Sequence, residues 1–200
     1  GMVGIHSIGD GGDVGPTPVE WLATASGAHS MQTDPSNRFV YVPCIAGEGG
    51  ANAVFQFRFD VLSGRLIPNS PAMLTPDGEL GPRHFCFHPN RDLVYFTNEQ
   101  GCSVTGYTLD TSTGTLSGFQ TVPTLPEGYT GRSTCSQIHI SPSGRFLYVA
   151  NRGHNSIAGF SIEASAGRIT AIGQTPTEAV PSSFSLDPEG NFLFAAGSES

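Results

Sequence analysis

The sequence has no lysine and few charged residues of any kind. Its cations are nine arginines, and charged residues make up 13% of the 200 residues, against roughly 25% in an average soluble domain. Seventeen acidic residues set the formal net charge at -8. An acidic chain without basic clusters does not suit a surface that follows nucleic-acid phosphates, so we expect no nucleic-acid partner.

Long apolar runs are also lacking. No stretch approaches the roughly eighteen consecutive apolar residues of a membrane-spanning helix. The first residues have no basic segment followed by an apolar one, as a secretion signal would require. We therefore expect a cytoplasmic protein with no membrane partner.

Paired cysteines are missing as well. The four cysteines, Cys44, Cys86, Cys102 and Cys135, form no C-x-x-C motif and have no pair of histidines at zinc-finger spacing. We therefore expect buried free thiols, and neither a metal site nor a cofactor.

The sequence is rich in turn-forming residues and in phenylalanine. It contains 26 glycines, 15 prolines and 13 phenylalanines, and 38% of its residues are hydrophobic. This apolar share is enough for a core, so the glycines and prolines indicate turns and not disorder. Such a composition excludes a coiled coil or a helical bundle.

A repeat of about 50 residues runs through the chain. A turn with proline at its second position occurs four times, at Asp34-Pro35, His88-Pro89, Ser141-Pro142 and Asp187-Pro188. An aromatic residue follows each proline by six positions, as Tyr41, Tyr95, Tyr148 and Phe194. A second turn, with glycine, recurs at positions 12, 64, 114 and 167. A period of this length indicates stacked supersecondary units.

The segments between these landmarks are short and rich in Val, Ile, Phe and Tyr, which favours β-strands. Four short antiparallel strands per repeat are typical of a propeller blade. We therefore predict an all-β protein, a single but incomplete β-propeller domain with about four blades of a larger ring. The predicted divisions are a partial blade at 1–24, blades at 29–75, 84–122 and 136–175, and a partial blade at 182–197.

The repeat also predicts which side chains meet. In each blade the first strand runs to the proline turn and the second returns, so the start of one and the end of the other lie together. His29 and Arg83 precede their prolines by six residues and His84 precedes its proline by five, whereas Glu99 and Arg152 follow theirs by ten. We expect these five side chains to converge on one mouth of the central channel.

Two interpretations of this cluster stay open. Arg83, Glu99 and Arg152 could form ion pairs that hold neighbouring blades together. Alternatively, the two arginines could bind an anionic small molecule, because a guanidinium group binds phosphate or carboxylate through two parallel hydrogen bonds.

Other histidines and arginines fall outside this cluster. His88 stands where the other turns carry Asp or Ser, which favours turn capping, and His139 could face either the channel or a neighbouring blade. Four arginines in or beside the turns are expected to be solvent-exposed: Arg38, Arg91, Arg145 and Arg168.

Six segments resemble the bacterial propeller-type lactonases, that is, the cycloisomerase 2-type 6-phosphogluconolactonases and the related fungal carboxy-cis,cis-muconate lactonizing enzymes. These segments are Gly27–Ser30, Gly81–His84 together with His88–Asn90, Thr97–Glu99, Ile138–Arg145, Ala150–Arg152 and Gln174–Thr177. The resemblance implies a seven-bladed, metal-independent enzyme of carbohydrate metabolism in the pentose phosphate pathway, of which this chain is the middle part.

The resemblance and the residue chemistry together predict a lactone hydrolase with a small anionic lactone as its substrate. Arg83 and Arg152 are the expected substrate-binding residues. Glu99 or a neutral histidine would activate water, and His29 or His84 would deliver a proton to the ring oxygen. The alternatives are a lactonizing cycloisomerase, which uses the same groups, and a non-catalytic propeller that binds a protein.

Overall fold

The computed structural model describes residues 1–199, and nearly all of its regular structure is β-strand. Helical geometry in this range is confined to a short 3-10 turn at Gly47–Gly49. No helix in the described range is long and apolar enough to cross a bilayer. The strands are β1 (Met2–Ile5), β2 (Glu20–Ala23), β3 (Gln32–Thr33), β4 (Phe39–Cys44), β5 (Ala53–Asp60), β6 (Arg65–Leu74), β7 (Pro82–Phe87), β8 (Leu93–Asn98), β9 (Ser103–Asp110), β10 (Thr115–Pro123), β11 (Thr134–Ile140), β12 (Phe146–Arg152), β13 (Ser156–Ile162), β14 (Ile169–Pro176), β15 (Pro181–Leu186) and β16 (Leu193–Gly197).

The strands form five antiparallel sheets. Three sheets have four strands in the order β3-β4-β5-β6, β7-β8-β9-β10 and β11-β12-β13-β14, and β1-β2 and β15-β16 form two-stranded sheets. Within each sheet every strand pairs with the next one along the chain, which is the meander of a propeller blade. The prediction of an all-β propeller is therefore confirmed.

The glycine turns that join the last two strands of a blade depend on backbone geometry. Gly64 and Gly114 have φ angles of 70° and 71°, a region that favours glycine. Their N–H groups donate to the carbonyls of Asp60 and Asp110 at 2.8 and 2.7 Å. Each turn therefore closes with one hydrogen bond, and the two strands pair regularly next to the turn before their register shifts further along.

The hydrophobic core lies between the blades. Phe85 and Phe96 of one blade stack with their ring centroids 4.6 Å apart, and Tyr41 of the preceding blade meets Phe85 edge-on at 6.3 Å. In the next seam, Leu93 and Tyr95 share a buried cluster with residues of β11 and β12. Because each seam draws on two blades, burial of apolar surface fixes how neighbouring blades are oriented.

Buried tyrosines also join the blades through hydrogen bonds. The hydroxyl of Tyr41 donates to the carbonyl of Gly114 at 2.8 Å, and that of Tyr95 donates to Gly167 at 2.7 Å. Both tyrosines stand six residues after a turn proline, and both acceptors lie in the glycine turn of the next blade. The repeated aromatic position therefore serves the contact between blades as well as the core.

β3, β7, β11 and β15 are the first strands of four successive sheets, and β7 packs against β11 and β11 against β15. We call these first strands the inner strands. The register shifts between Pro82 and Phe85 in β7, between Cys135 and Ile138 in β11, and between Pro181 and Ser183 in β15. Such bulges re-aim the side chains at the irregularity.

Candidate active site

Two arginines and one glutamate form an ion-pair cluster across the seam between two blades. Arg83 Nε lies 2.5 Å from Glu99 Oε2, although the two atoms are not aligned as a hydrogen bond. Arg152 Nη2 donates to Glu99 Oε1 at 2.7 Å. Only 14%, 13% and 22% of the Arg83, Glu99 and Arg152 side chains are exposed. Charges so far removed from water interact more strongly than an exposed pair does.

The bulge in β7 supplies two neighbouring side chains of the site. Arg83 and His84 fall between the paired residues Pro82 and Phe85, so they do not follow the strand's normal alternation. The fully buried hydroxyl of Thr97 accepts a hydrogen bond from the His84 N–H at 3.1 Å. The Thr97 side chain thus satisfies a backbone group that the sheet does not pair.

Thr97 also reaches the next blade. Its hydroxyl lies 3.2 Å from the carbonyl of His84 and 3.1 Å from the carbonyl of Ser136, both within reach of its one proton. A threonine at this position therefore ties the bulge of β7 to the bulge of β11. Of the four residues that stand eight positions after a turn proline, Thr97 is the only one with a hydroxyl group.

The backbone N–H and carbonyl groups of Glu99 are both hydrogen-bonded. The Glu99 N–H donates to the carbonyl of Gly81 at 2.7 Å, and the Glu99 carbonyl accepts from Cys135 N–H at 3.2 Å. Gly81 has a φ of 72°, and a Cβ atom there would collide with the side chain of Gln100. Glycine is needed at this position both for its backbone angle and for space.

Arg152 is held in the same seam by a backbone acceptor. In addition to Glu99, its Nη2 group donates to the carbonyl of Cys135 at 3.2 Å. Below it, the buried amide of Asn151 accepts from Thr124 Oγ1 at 2.7 Å and donates to the carbonyl of Thr124 at 3.1 Å. Asn98 has the same repeat position before Glu99 and is also buried. These amides hold the strand ends that carry the charged residues.

His29 lies at the exposed rim of this cluster. Its Nδ1 atom is 2.7 Å from the carbonyl of Gly27, so Nδ1 carries the proton and Nε2 is the unprotonated nitrogen of the neutral ring. The next residue, Ser30, donates through its hydroxyl to the carbonyl of Arg83 at 2.9 Å. This contact brings the chain at His29 against the β7 bulge.

His84 is neutral at pH 7. Burial lowers its pKa from 6.5 to about 4, and the nearby Arg83, together with His29 when that ring is protonated, acts in the same direction, while Glu99 opposes them. A neutral imidazole accepts a proton or a hydrogen bond at one nitrogen and donates at the other. His84 is thus poorly suited to enter a reaction as the proton donor that the sequence also allowed.

The cluster carries an excess of positive charge with unused donors. Two guanidinium groups face one carboxylate, in a chain whose net charge is -8. Burial lowers the pKa of Arg83, and Glu99 opposes that change, but an arginine in a protein keeps its proton. Within residues 1–199 no group hydrogen-bonds to either Nη atom of Arg83. An anion is the chemical complement of this arrangement.

The structure brings the predicted residues together to different degrees. Arg83, Glu99 and Arg152 are in direct contact, His84 adjoins Arg83, and His29 is exposed at the rim. The contacts of the ion-pair interpretation are therefore present, and the same contacts orient the unused donors of the anion-binding interpretation.

Sequence reasoning overlooked Thr97 and the carbonyl of Cys135. Thr97 could have been found, because only one of the four repeats has a hydroxyl group at this position. A backbone carbonyl cannot be recognised in the sequence in this way. His88 caps its turn as expected, since its Nδ1 accepts from Asn90 N–H at 3.1 Å. The turn arginine Arg91 corrects an expectation, because it is only partly exposed and donates to the carbonyl of Ser165 in the next blade at 2.7 Å.

The described part of the chain offers no obvious metal site. In residues 1–199 no three His, Cys, Asp or Glu side chains converge as ligands. The four cysteines are free.

Comparisons with known proteins give a consistent result. Residues 11–200 match the family model described as lactonase, 7-bladed beta-propeller. The chain is 36% identical over 200 residues to a 6-phosphogluconolactonase of Pectobacterium carotovorum, covering 99% of this chain and 58% of that protein. It is 34% identical over 185 residues to a 6-phosphogluconolactonase of Yersinia pestis, covering 92% and 53%.

A solved structure gives a similar match. The periplasmic gluconolactonase of Pseudomonas aeruginosa superposes with a TM-score of 0.89 at 26% identity, covering 98% of this chain and 56% of that one. The chain thus spans little more than half the length of the proteins that it matches.

Proposed function

This chain belongs to the lactonase family of seven-bladed β-propellers, and from this membership we propose that the complete protein hydrolyses the lactone of a phosphorylated sugar acid. The substrate we propose is 6-phosphoglucono-1,5-lactone, because the curated relatives are named for it. The observation that carries the proposal is the Arg83–Glu99–Arg152 cluster, which presents unused guanidinium donors and a net positive charge in an acidic chain.

The two arginines would have separate tasks. Both Nη groups of Arg83 are unused, so this guanidinium can hold a phosphate through two parallel hydrogen bonds. Arg152 uses Nη2 for Glu99 and the carbonyl of Cys135, which leaves Nη1 for the oxygen of the attacked carbonyl. Stabilising that developing oxyanion is typically worth about 10²- to 10³-fold in rate.

His29 is suited to move the protons. Its Nε2 accepts a proton from the attacking water, and the imidazolium then returns that proton to the ring oxygen as the C–O bond breaks. The carbonyl of Gly27 fixes the tautomer that this sequence needs. His84 stays neutral and acts as a hydrogen-bond partner of the substrate.

Glu99 acts mainly through the arginines in this proposal. Both of its oxygens lie against guanidinium groups, so the contacts of this carboxylate are to the arginines. Its carboxylate sets the distance and direction of the two cations that face the substrate. It is therefore a positioning residue on which both anion-binding steps depend.

The direct test is hydrolysis of 6-phosphoglucono-1,5-lactone by the complete protein, measured against spontaneous opening. We expect clear acceleration, loss of most of it in Arg83→Ala, and none of that loss in the turn variant Arg145→Ala. If a folded protein gives no acceleration with this lactone but converts open-chain 3-carboxy-cis,cis-muconate into its lactone, the reaction is cycloisomerisation and the hydrolase proposal fails.

We propose the cytoplasm as the compartment of the complete protein. Free cysteines suit a reducing compartment, although one similar structure is that of a periplasmic enzyme. Fractionation of cells that express the complete protein distinguishes the two.

A further inference from the structure

A cavity lies beyond the arginine–glutamate cluster, further along the inner strands. It has a volume of about 280 Å³ and is lined by the inner strands β3, β7 and β11. Its polar lining consists of Gln32, His84, Gln137 and His139. On β11, His139 stands four residues further from the mouth than Cys135, whose carbonyl binds Arg152.

The two glutamines of the lining already serve the contacts between blades. Gln32 Nε2 donates to the carbonyl of Phe85 at 2.9 Å. Gln137 Oε1 accepts from the N–H of Phe184 at 2.8 Å and from the hydroxyl of Ser183 at 3.2 Å. These amides are therefore fixed parts of the wall.

The two histidines are different, since their rings have unused hydrogen-bonding atoms. The Nε2 atom of His139 is buried and has no hydrogen-bond partner within residues 1–199. The hydrogen bonds that His84 makes all involve its backbone. A buried polar atom left unpaired costs about 1–3 kcal/mol, so such an atom in a cavity wall indicates a place for a ligand.

The His139 ring is also held in place. It packs edge-on against Phe184 of the next inner strand, with the ring centroids 4.8 Å apart. Burial lowers the pKa of His139, and the backbone of Phe184 opposes that change. Burial likewise lowers the pKa of His84 to about 4.

Neutral imidazoles select a particular kind of ligand. Each offers one donor and one acceptor, as a hydroxyl group does. An anion gains far less from a neutral ring than from a guanidinium group. The chemistry of the cavity therefore fits hydroxyl groups, and that of the cluster above it fits a negative charge.

We propose that this cavity is a polyol subsite, in which His84 and His139 hydrogen-bond hydroxyl groups of the sugar lactone while Arg83 and Arg152 hold its anionic parts. The inference rests on the function proposed for the same site and adds the specificity for a hydroxylated substrate. His139 is in this view a specificity-determining residue that takes no part in the proton transfers.

The first test observes histidine side-chain nitrogen signals of the complete protein by NMR. We expect 6-phosphogluconate, the stable product, to shift the ring signals of both His84 and His139. Inorganic phosphate, which has the charge but no carbon-bound hydroxyls, should leave His139 unshifted, and the exposed His6 should respond to neither. Equal shifts of His139 with both probes, or none with 6-phosphogluconate, would overturn the subsite.

The second test uses two substitutions with opposite expectations. His139→Leu removes the ring nitrogens and should weaken binding of 6-phosphogluconate about tenfold, the size of one good hydrogen bond. His139→Gln keeps a polar atom near the position of Nε2 and should recover most of that loss. In kinetics the same change should appear in KM and leave kcat nearly unaltered, with His6→Leu as the matched control.

The outcomes separate this inference from the proposed reaction. Hydrolysis without the selective shift of His139 leaves the reaction in place and removes the subsite. A selective shift without hydrolysis keeps the subsite and removes the reaction. If His139→Leu does not fold, the NMR comparison of the two probes on the unaltered protein decides.

Discussion

At the turn end of the inner hairpins, different side chains perform one task. The carboxylate of Asp34 accepts from the N–H of Phe39 at 2.7 Å, and that of Asp187 accepts from Phe192 N–H at 2.6 Å. A hydroxyl does the same in the third repeat, where Ser141 Oγ accepts from the N–H of Phe146 at 3.1 Å. Several side chains satisfy this requirement because it asks only for a local acceptor.

At the mouth end the equivalent positions have no common task. Six residues before the turn proline the four repeats carry His29, Arg83, Ser136 and Ser182. Ten residues after it they carry Ile45, Glu99, Arg152 and Ser198. The backbone geometry repeats at both ends, but the side chains repeat only where they serve the fold. The difference locates the chemistry at the mouth, and the substitutions below test that division.

The largest effect is expected at the mouth, for Arg83→Ala. Loss of its guanidinium should lower kcat/KM by about 10²- to 10³-fold, as expected when one partner of a buried charged hydrogen bond is removed, because both the anion and the carboxylate of Glu99 lose a partner. Arg83→Lys should recover only part of the activity, since an ammonium lacks the planar fork. Steady-state kinetics of the folded variants measure this, and an equal loss in Arg145→Ala at the turn end would erase the distinction between the two ends.

Glu99→Gln comes next. The neutral amide no longer orients two cations, and a displacement of about 1 Å at a reacting group can cost about 10²-fold in rate. We expect a lower kcat and a higher KM together, with circular dichroism unchanged. A protein that instead melts far earlier at full specific activity would make the cluster a tie between blades and nothing more.

Asp34→Ala tests the other end of the hairpin. The N–H groups of Arg38 and Phe39 lose their acceptor, which should cost about 2 kcal/mol of unfolding free energy and leave kcat/KM unchanged. Asp34→Ser should recover most of the stability, because Ser141 performs the same task in another repeat. Urea unfolding of the unaltered protein, Asp34→Ala and Asp34→Ser measures these changes in stability. A changed kcat/KM in Asp34→Ala would contradict the prediction.

Thr97→Val should have a smaller effect, and this effect should fall on both activity and stability. The methyl group keeps the volume, but the N–H of His84 loses its acceptor and the carbonyl of Ser136 its donor. We expect about a tenfold fall in kcat/KM with a loss of about 1 kcal/mol in stability. Thr97→Ser should restore both, and activity equal to that of the unaltered protein in Thr97→Val would separate the bulge from the chemistry.

The smallest effect concerns pH. The pKa of His84 is about 4 in the folded protein against 6.5 as the reference value, so the unfolded state binds the extra proton between these pH values. The contribution of His84 to the free energy of unfolding is therefore complete above pH 6.5 and is lost as pH falls toward 4. The loss is on the order of 1 kcal/mol after screening by solvent. His84→Gln should show a shallower decline than the unaltered protein in urea unfolding at pH 7 and pH 5. Burial also lowers the pKa values of His88 and His139, so the difference between the two proteins is the quantity to compare.

Much of this arrangement could be predicted from the sequence, because residues at equal spacing in a repeat occupy equivalent positions in successive blades. The fixed distance from each turn proline was enough to place Arg83, Glu99 and Arg152 at one end of the hairpins. It did not reveal the bulge that presents Arg83 and His84 together, because a bulge depends on how two strands pair and not on composition. The direction of His139 was open for the same reason, as alternation along β11 breaks at its bulge.

The tyrosine hydroxyls that cross from one blade to the next have a consequence for how such a ring can arise. Tyr41 reaches Gly114 and Tyr95 reaches Gly167, each through the same pair of positions in successive repeats. A duplicated copy of the repeat therefore brings with it both the donor for the following blade and the acceptor for the preceding one. Duplication of a gene segment that encodes such a repeat keeps this tyrosine–glycine hydrogen bond at the new junction, which favours growth of the propeller by whole blades.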